Sequence, residues 1–476
     1  MVAERTIQNA ENSWLTRLRS GAIIWGLAGG VALSLLTLWA LRPIADGFRV
    51  NSGHDFLLLY AASSATRAHE SPYDPLVLLR YARDAGIPVS YLLDAQQRVN
   101  QPYVYPPLFA WLALPFTNFT PSRALLAWRA CSVICFFAGS LGMIALWAES
   151  MRSQLMASPA KRVLLAAIVA VAPTTALVTF WGNPVAIVYA AMGGWMWALG
   201  RNQRSADLAA GALMSAALLK PQLALALAVI SVLCLTQGPS ASVRRTRVAV
   251  SFVGTCVVLL ALDVLTTGPA LLYAWPRSVL YLSHLTFEQT DMPSLLGLFG
   301  YFLTKLPSQI YSAIMWGTTL AGIGAISVLY WRLRHTWNSL TLLGLLTVVW
   351  CFTTPYGHAN DEVLLVPTGL AIVDAYTQTF ATLQARGALT MLLAQRAAAL
   401  RTLTQWALAS LALVALWFGG VLLLLPYPLH HVLGYFAPTI VPTLLLVTIA
   451  AMPRALSQQH EHTHVFPPTV PDLATI

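Results

Sequence analysis

The chain has 476 residues, of which 57% are hydrophobic and only 10% are charged. Because soluble domains contain roughly 25% charged residues, this composition excludes an ordinary soluble protein and predicts an integral membrane protein with many spans. The net charge of +10 is spread over short loops. That pattern is typical of topology control and argues against nucleic acid as a partner.

Residues 1–20 contain the first basic residues, and we expect them to form a cytoplasmic segment. The apolar run at 22–41 is about 20 residues long, enough to cross a hydrocarbon core of ~30 Å. No small-residue cleavage site follows it, so we interpret it as a retained anchor rather than a signal peptide. Further apolar segments raise the predicted total to about 12 transmembrane helices in an all-α fold. They are 124–148, 163–180, 184–200, 207–219, 221–237, 248–267, 309–331, 338–353, 362–377, 403–425 and 433–451.

Two other apolar pieces, 106–119 and 293–304, are too short or too rich in proline to cross. We expect them to be re-entrant or juxtamembrane helices. If 106–119 does not cross and the N-terminus is cytoplasmic, most of the 28 basic residues fall on the inner side, as the positive-inside rule requires. If 106–119 did cross, every later basic cluster would lie outside.

This topology divides the chain into a main transmembrane module and smaller pieces. The module spans residues 21–377, and its residues 42–123 form one long connection on the outer side. Residues 378–453 are expected to form a cytoplasmic loop and a C-terminal transmembrane hairpin. The polar tail, 454–476, is expected to be disordered.

Unusual polar residues from five separate connections fall on the outer side of this topology. Their convergence at one depth is typical of a site built at the membrane surface. They are His54, Asp55, Asn183, Lys220, His284, Glu288, Asp291, His358, Asn360 and Asp361.

Asp55 is the candidate general base of this group. Partial desolvation near the apolar boundary would raise its pKa toward neutrality, although a helix N-cap or a solvated loop acid explains an aspartate there equally well. Lys220 lies between two apolar runs, and its ammonium group suits an anionic phosphate. A half-helix that begins at Pro221 would also direct its N-terminal amides at the anion. The alternative is a lysine that reaches the membrane interface.

The other candidates each have a structural alternative. His358 is placed to stabilise a leaving phosphate or orient an acceptor, whereas Asn360 and Asp361 either contact the acceptor or cap the next helix. Asn183 either hydrogen-bonds a sugar hydroxyl or serves only the Gly-Asn-Pro turn. Tyr105 either lines a cavity rim or is an ordinary interfacial tyrosine.

Metal and cofactor chemistry is not expected. His284, Glu288 and Asp291 have suitable side chains, but their spacing is loose and no second cluster supports them. The five cysteines all lie in apolar runs, which predicts small packing residues and neither disulfides nor a zinc site.

Several short segments together resemble glycosyltransferase family 87, the polyprenyl-phosphate-mannose-dependent mannosyltransferases of the GT-C superfamily. The resemblance covers about residues 20–375. It is carried by Asp55, Ser71-Pro72-Tyr73-Asp74, the run from Tyr103 to Ala110, Gly182-Asn183, Leu219-Lys220-Pro221 and Thr354-Pro355-Tyr356.

The resemblance implies a GT-C fold whose catalytic module is residues 21–377. It implies an inverting transfer of a sugar, often mannose, from a polyprenyl-phosphate donor to a lipid or glycan acceptor. The reaction would take place at the extracytoplasmic face of a bacterial plasma membrane, among membrane lipids. Asp55 would be the catalytic base and His358 would assist it. Lys220, His358 and Arg277 are the candidates for the donor phosphate, and His54, Tyr105, Asn183, Asn360 and Asp361 for the sugar or acceptor.

Two other functions fit parts of the sequence. A transporter or flippase of lipid-linked sugars would also place charged groups midway, but it is expected to have paired broken helices. The one such break in this sequence is at Lys220-Pro221. A non-catalytic membrane assembly protein would have no need of Asp55.

Overall fold

The computed structural model describes residues 53–87, 102–151, 158–170, 172–283, 306–354 and 364–371. Within these ranges regular structure is helical and no strand occurs, which confirms the all-α prediction. The predicted anchor at 22–41, the piece at 293–304, the hairpin within 378–453 and the tail lie outside the described residues. The division of the chain into these parts stays a prediction.

We number the helices of the described residues α1 to α13. Two short 3₁₀ segments, Leu114–Asn118 and Ser215–Leu219, join some of them. The helices are α1 His54–Arg67, α2 Pro75–Asp84, α3 Pro107–Ala113, α4 Pro121–Met151, α5 Pro159–Ala170, α6 Pro173–Trp181, α7 Val185–Gly200, α8 Arg204–Met214, α9 Pro221–Leu235, α10 Ala241–Thr267, α11 Pro269–Ser283, α12 Ser308–Leu333 and α13 Ser339–Thr353.

Three of the described helices are long and apolar enough to cross a membrane. They contain the stretches Pro121–Glu149, Ala241–Thr267 and Gln309–Leu333, and α7, α9 and α13 are shorter apolar helices. The structure therefore agrees with a membrane protein, while the total of about 12 spans stays a prediction. The piece at 106–119 forms only α3 and a 3₁₀ turn. At 1.5 Å per residue these are too short to cross.

The single helix predicted at 163–180 is wrong, because the chain breaks between α5 and α6. Pro173 has no N–H to continue a helix, and Ala172 before it is extended, with φ −53° and ψ 147°. The hydroxyl of Thr175 donates to the carbonyls of Ala170 and Ala172 at 3.0 and 2.6 Å. This side chain satisfies backbone groups that the break leaves without helical partners.

Two more predicted bounds need correction. The helix predicted at 207–219 is α8 followed by the 3₁₀ turn Ser215–Leu219, which ends directly before Lys220. The helix predicted at 248–267 begins at Ala241, so the arginines expected in the preceding loop lie on the first two turns of α10. They are held there by partners on neighbouring helices.

The helix ends that carry these arginines form what we call the arginine end of the bundle. Arg244 donates through Nε to Asp207 Oδ1 at 3.0 Å, and Arg245 donates to Thr236 Oγ1 at 3.0 Å where α9 ends. Arg201, after α7, pairs with Glu149 of α4 at 3.2 Å. The helices turn back here, so their other ends gather at the opposite side of the bundle, which we call the site end.

The bundle is held together by close contact between α4 and α7. A Cβ atom at Gly193 of α7 would overlap the backbone carbonyl oxygen of Gly139 of α4, and one at Gly142 would lie 2.5 Å from the Gly193 oxygen. Small residues allow two helix backbones to touch in this way. Because α4 also supports the site end, this crossing fixes the frame on which the site is built.

At the site end an irregular segment, 103–105, is held by hydrogen bonds from side chains to its backbone carbonyls. Its three consecutive carbonyls accept hydrogen bonds from Ser278 Oγ at 2.7 Å, Trp275 Nε1 at 2.9 Å and Tyr73 OH at 2.6 Å. The buried carboxyl group of Asp263 on α10 lies within hydrogen-bonding reach of the Leu108 N–H in the first turn of α3. Side chains from α2, α10 and α11 therefore fix the chain that leads into α3.

A glycine-to-alanine pair tests the α4–α7 crossing. Gly193→Ala should lower the melting temperature of the purified protein in detergent, because overpacking a tight contact costs about 1–3 kcal/mol. Gly254→Ala is the matched control, since a Cβ atom there meets no atom within 4 Å and alanine favours a helix. Equal melting temperatures for the two variants would contradict the close crossing.

Candidate active site

Asp55 lies in the first turn of α1, and it is not the residue that caps the helix. Gly53 is the N-cap, with φ 80°, and its carbonyl accepts from Leu57 N at 2.9 Å. The side chain of Asp55 is therefore available to other elements. The N-terminal end of a helix also favours a negative charge.

Asn183 makes the most direct contact with this carboxylate. Its Nδ2 donates to Asp55 Oδ2 at 2.7 Å, and its Oδ1 accepts from the backbone N of Val185 at 3.0 Å. The side-chain oxygen thus serves the turn that leads into α7. The nitrogen of the same amide is directed to Asp55, and the contact of Asn183 with a sugar hydroxyl stays a prediction.

The turn that carries Asn183 is held against α1 and α4. Gly182 has φ 72° and lies against Phe56, so a Cβ atom at position 182 would come within 2.6 Å of Phe56 Cβ. Trp128 Nε1 donates to the Gly182 carbonyl at 2.8 Å, and the next residue, Arg129, donates to the Phe180 carbonyl at 2.7 Å. Two consecutive residues of α4 therefore fix the end of α6.

Sequence reasoning missed Trp128, Arg129 and Asp263. For Arg129 and Asp263 the sequence carried a signal, because a charged residue inside an apolar span needs a polar partner, whereas Trp128 gave none. Arg129 lies within the predicted span 124–148, and Asp263 within 248–267.

His54 contacts the second oxygen of the carboxylate. Its Nε2 lies 3.1 Å from Asp55 Oδ1, and the two side chains are 23% and 19% exposed. The imidazole also meets the Trp181 ring edge-on, with 5.8 Å between the ring centroids. The two oxygens of Asp55 therefore have different neighbours, His54 on one and Asn183 on the other.

Lys220 belongs to the same cluster although it comes from a distant part of the chain. It is 5% exposed and lies between a 3₁₀ turn and α9, with Pro221 as the first helical residue. Its carbonyl accepts from the N–H groups of Leu223 and Ala224 at 3.1 and 2.9 Å. Burying an ammonium group is unfavourable unless an opposite charge is near, and the carboxylate of Asp55 supplies one.

These neighbours determine the pKa of Asp55. Burial alone would raise it, but the charge of His54, hydrogen bonds from His54 and Asn183, and the charge of Lys220 together lower the pKa below its ordinary value. This direction is opposite to the one expected from the sequence, since the lowering contacts outweigh desolvation. The group is therefore a carboxylate at neutral pH.

Tyr105 and Arg277 lie on other elements of the site end. Tyr105 is buried and packs its ring on Tyr103 and Phe109, with centroids 5.8 and 5.4 Å apart. Its ring packs in the core of the site end, and its expected contact with the sugar or acceptor stays a prediction. Arg277 is exposed on α11, and within the described ranges no contact joins it to Asp55 or Lys220.

The remaining candidates, His284, Glu288, Asp291, His358, Asn360 and Asp361, lie outside the described residues. Thr354, the last described residue before the segment of His358, nevertheless lies near the cluster. Its Oγ1 donates to the carbonyl of Gln222, two residues after Lys220, at 3.2 Å. The described part of the chain holds no group of three His, Cys, Asp or Glu residues placed to bind a metal ion.

The family model described as Glycosyltransferase family 87 matches residues 103–355, more than half of the chain. The chain belongs to glycosyltransferase family 87. No curated protein matches it.

Membership of family 87 makes this protein a membrane glycosyltransferase, with a sugar donor and a lipid or glycan acceptor as its partners. The matched region contains Asn183 and Lys220, whereas Asp55 precedes it. The hydrogen bond from Asn183 to Asp55 therefore links the matched region to the carboxylate.

The lowered pKa of Asp55 predicts how the stability of this cluster depends on pH. A carboxylate with a depressed pKa contributes stability above its unfolded-state pKa, about 3.9, and loses it as the pH falls through the lower folded-state value. The difference in melting temperature between wild type and Asp55→Asn should therefore not shrink between pH 8 and pH 5.

Melting curves of both proteins, followed by tryptophan fluorescence in one detergent, measure this difference. A difference that disappears as the pH falls from 8 to 5 would indicate a raised pKa and would contradict the assignment.

Proposed function

We propose that this protein transfers a sugar, mannose in the first instance, from a polyprenyl-phosphate donor to a hydroxyl group of a lipid or glycan. In this proposal Asp55 is the general base and the anomeric centre is inverted. The observation that carries the proposal is the convergence of a carboxylate, Asp55, and a buried ammonium, Lys220, at one end of the helical bundle. One group suits a hydroxyl nucleophile and the other suits a phosphate.

The chemistry requires both groups. The acceptor oxygen forms a bond to the anomeric carbon from the side opposite the phosphate, and the bond between that carbon and the phosphate oxygen breaks. Its electron pair leaves with the polyprenyl phosphate, and the hydroxyl proton passes to the carboxylate of Asp55. A low pKa does not prevent this transfer, because the hydroxyl becomes acidic as its oxygen bonds to carbon.

Lys220 is proposed to hold the donor phosphate and to stabilise the charge that develops on it. The ammonium group of Lys220 has this role, because the N–H groups of Leu223 and Ala224 in the first turn of α9 already donate to the Lys220 carbonyl. These are helix amides that the sequence led us to expect to face the anion, and most of them are hydrogen-bonded within the protein instead. His358 is proposed to assist, because the chain enters its segment at the first turn of α9.

The site is proposed to face the extracytoplasmic side of the membrane. Arginines gather at the opposite end of the bundle, where Arg201, Arg244 and Arg245 bind helix ends. Basic residues are enriched on the cytoplasmic side of membrane proteins, so the carboxylate and Lys220 would lie on the outer side. A lipid-linked donor would reach them from within the bilayer.

The proposal is tested by turnover of polyprenyl-phosphate mannose with candidate acceptors in detergent or vesicles. Asp55→Asn should fold and should transfer the sugar at least ~100-fold more slowly, which is the low end of general-base contributions. Asp74→Asn is the matched control. Asp74 caps α2 through Leu76 N at 2.9 Å, and asparagine caps equally well. Similar turnover by Asp55→Asn and Asp74→Asn would reject Asp55 as the base.

A further inference from the structure

The amide of Asn183 has a fixed orientation. Its oxygen accepts the backbone N–H of Val185 at 3.0 Å, and an amide nitrogen cannot accept in its place. The nitrogen must then point the other way, where it donates to Asp55 Oδ2 at 2.7 Å. One side chain therefore connects the start of α7 to the carboxylate in the first turn of α1.

The surroundings of Asn183 leave its side chain little freedom to turn. It is 5% exposed, and it follows Gly182, whose left-handed backbone lies against Phe56 next to Asp55. Trp128 holds the Gly182 carbonyl from α4 at 2.8 Å. Movement of the amide would break the Val185 bond, so the turn holds the Nδ2 group in place.

Resting on the proposed role of Asp55 as base, we infer that Asn183 is a positioning residue that orients the carboxylate for proton transfer. Asn183 occupies Oδ2 from the buried side. Oδ1, beside the partly exposed His54, is the oxygen that faces the reaction. Asn183 thereby acts through Asp55 and is not primarily a ligand of the sugar.

The substitution Asn183→Asp separates positioning from folding. An aspartate keeps an acceptor for Val185 N, but at neutral pH it replaces the Nδ2 donor with a second negative charge beside Asp55. Two carboxylates in contact share a proton, and the pair titrates at a raised pKa. Once one of them is protonated, its O–H donates to the other as the amide did.

The expected result is a ratio of kcat for Asn183→Asp to kcat for the wild type that rises as the pH is lowered. At neutral pH kcat of Asn183→Asp should fall on the order of 10-fold, as expected for loss of a charge-assisted hydrogen bond. As the pH is lowered toward 5, this variant should regain activity relative to the wild type. KM for polyprenyl-phosphate mannose should stay close to the wild-type value.

Asn338→Asp is the matched control. Asn338 caps α13 in the same way, with its Oδ1 accepting from Leu340 N at 2.8 Å, but it lies at the arginine end. This variant should show the wild-type kcat and pH profile. Asn183→Ser, which keeps a capping oxygen and cannot reach Asp55 as a donor, should lose kcat without recovery at low pH. If Asn183→Asp does not fold, the kcat of Asn183→Ser alone tests the positioning role.

Three outcomes would overturn the inference. The first is a kcat equal to that of the wild type in both Asn183 variants. The second is a loss of kcat in Asn183→Asp that does not recover at low pH. The third is a raised KM with an unchanged kcat, which would make Asn183 a substrate ligand. Each is distinct from failure of the proposed function, for which Asp55→Asn in the same assay would be fully active. If Asp55→Asn is inactive while both Asn183 variants keep the kcat of the wild type, the positioning role is rejected and the proposed function is not.

Discussion

The hydrogen bond between Asn183 and Asp55 is the contact on which the rest of the site depends. It joins residues that are 128 positions apart in the chain and brings the first turn of α1 to the turn between α6 and α7. With His54, Asn183 and Lys220 near, the carboxylate stays ionised despite its burial. A carboxylate and an ammonium that are both shielded from water need each other, since either one alone would carry an uncompensated charge.

The longest well-packed helix, α4, positions this contact from a distance. Its Gly139 and Gly142 let α7 approach closely, while Trp128 and Arg129, about three turns earlier, bind the end of α6. One helix thus sets both the spacing of the bundle and the place of the turn that carries Asn183. A family-87 match that begins at residue 103 includes all four of these residues.

The sequence predicted the kind of fold and the principal residues of the site. Apolar length alone identified α4, α10 and α12, and the counting of basic residues separated Asp55, Asn183 and Lys220 from the arginine end. It could not indicate the break at Pro173, where local proline geometry overrides apolar length. It also could not give the direction of the Asp55 pKa shift, because that depends on neighbours brought together by the tertiary fold.

The position of the donor tests the account most directly. A structure of the protein in lipid with a polyprenyl-phosphate sugar bound would show the phosphate within hydrogen-bonding distance of Lys220 Nζ, with the anomeric carbon between that phosphate and Asp55. A phosphate bound at the arginine end, or a sugar on the far side of the bundle from Asp55, would contradict it.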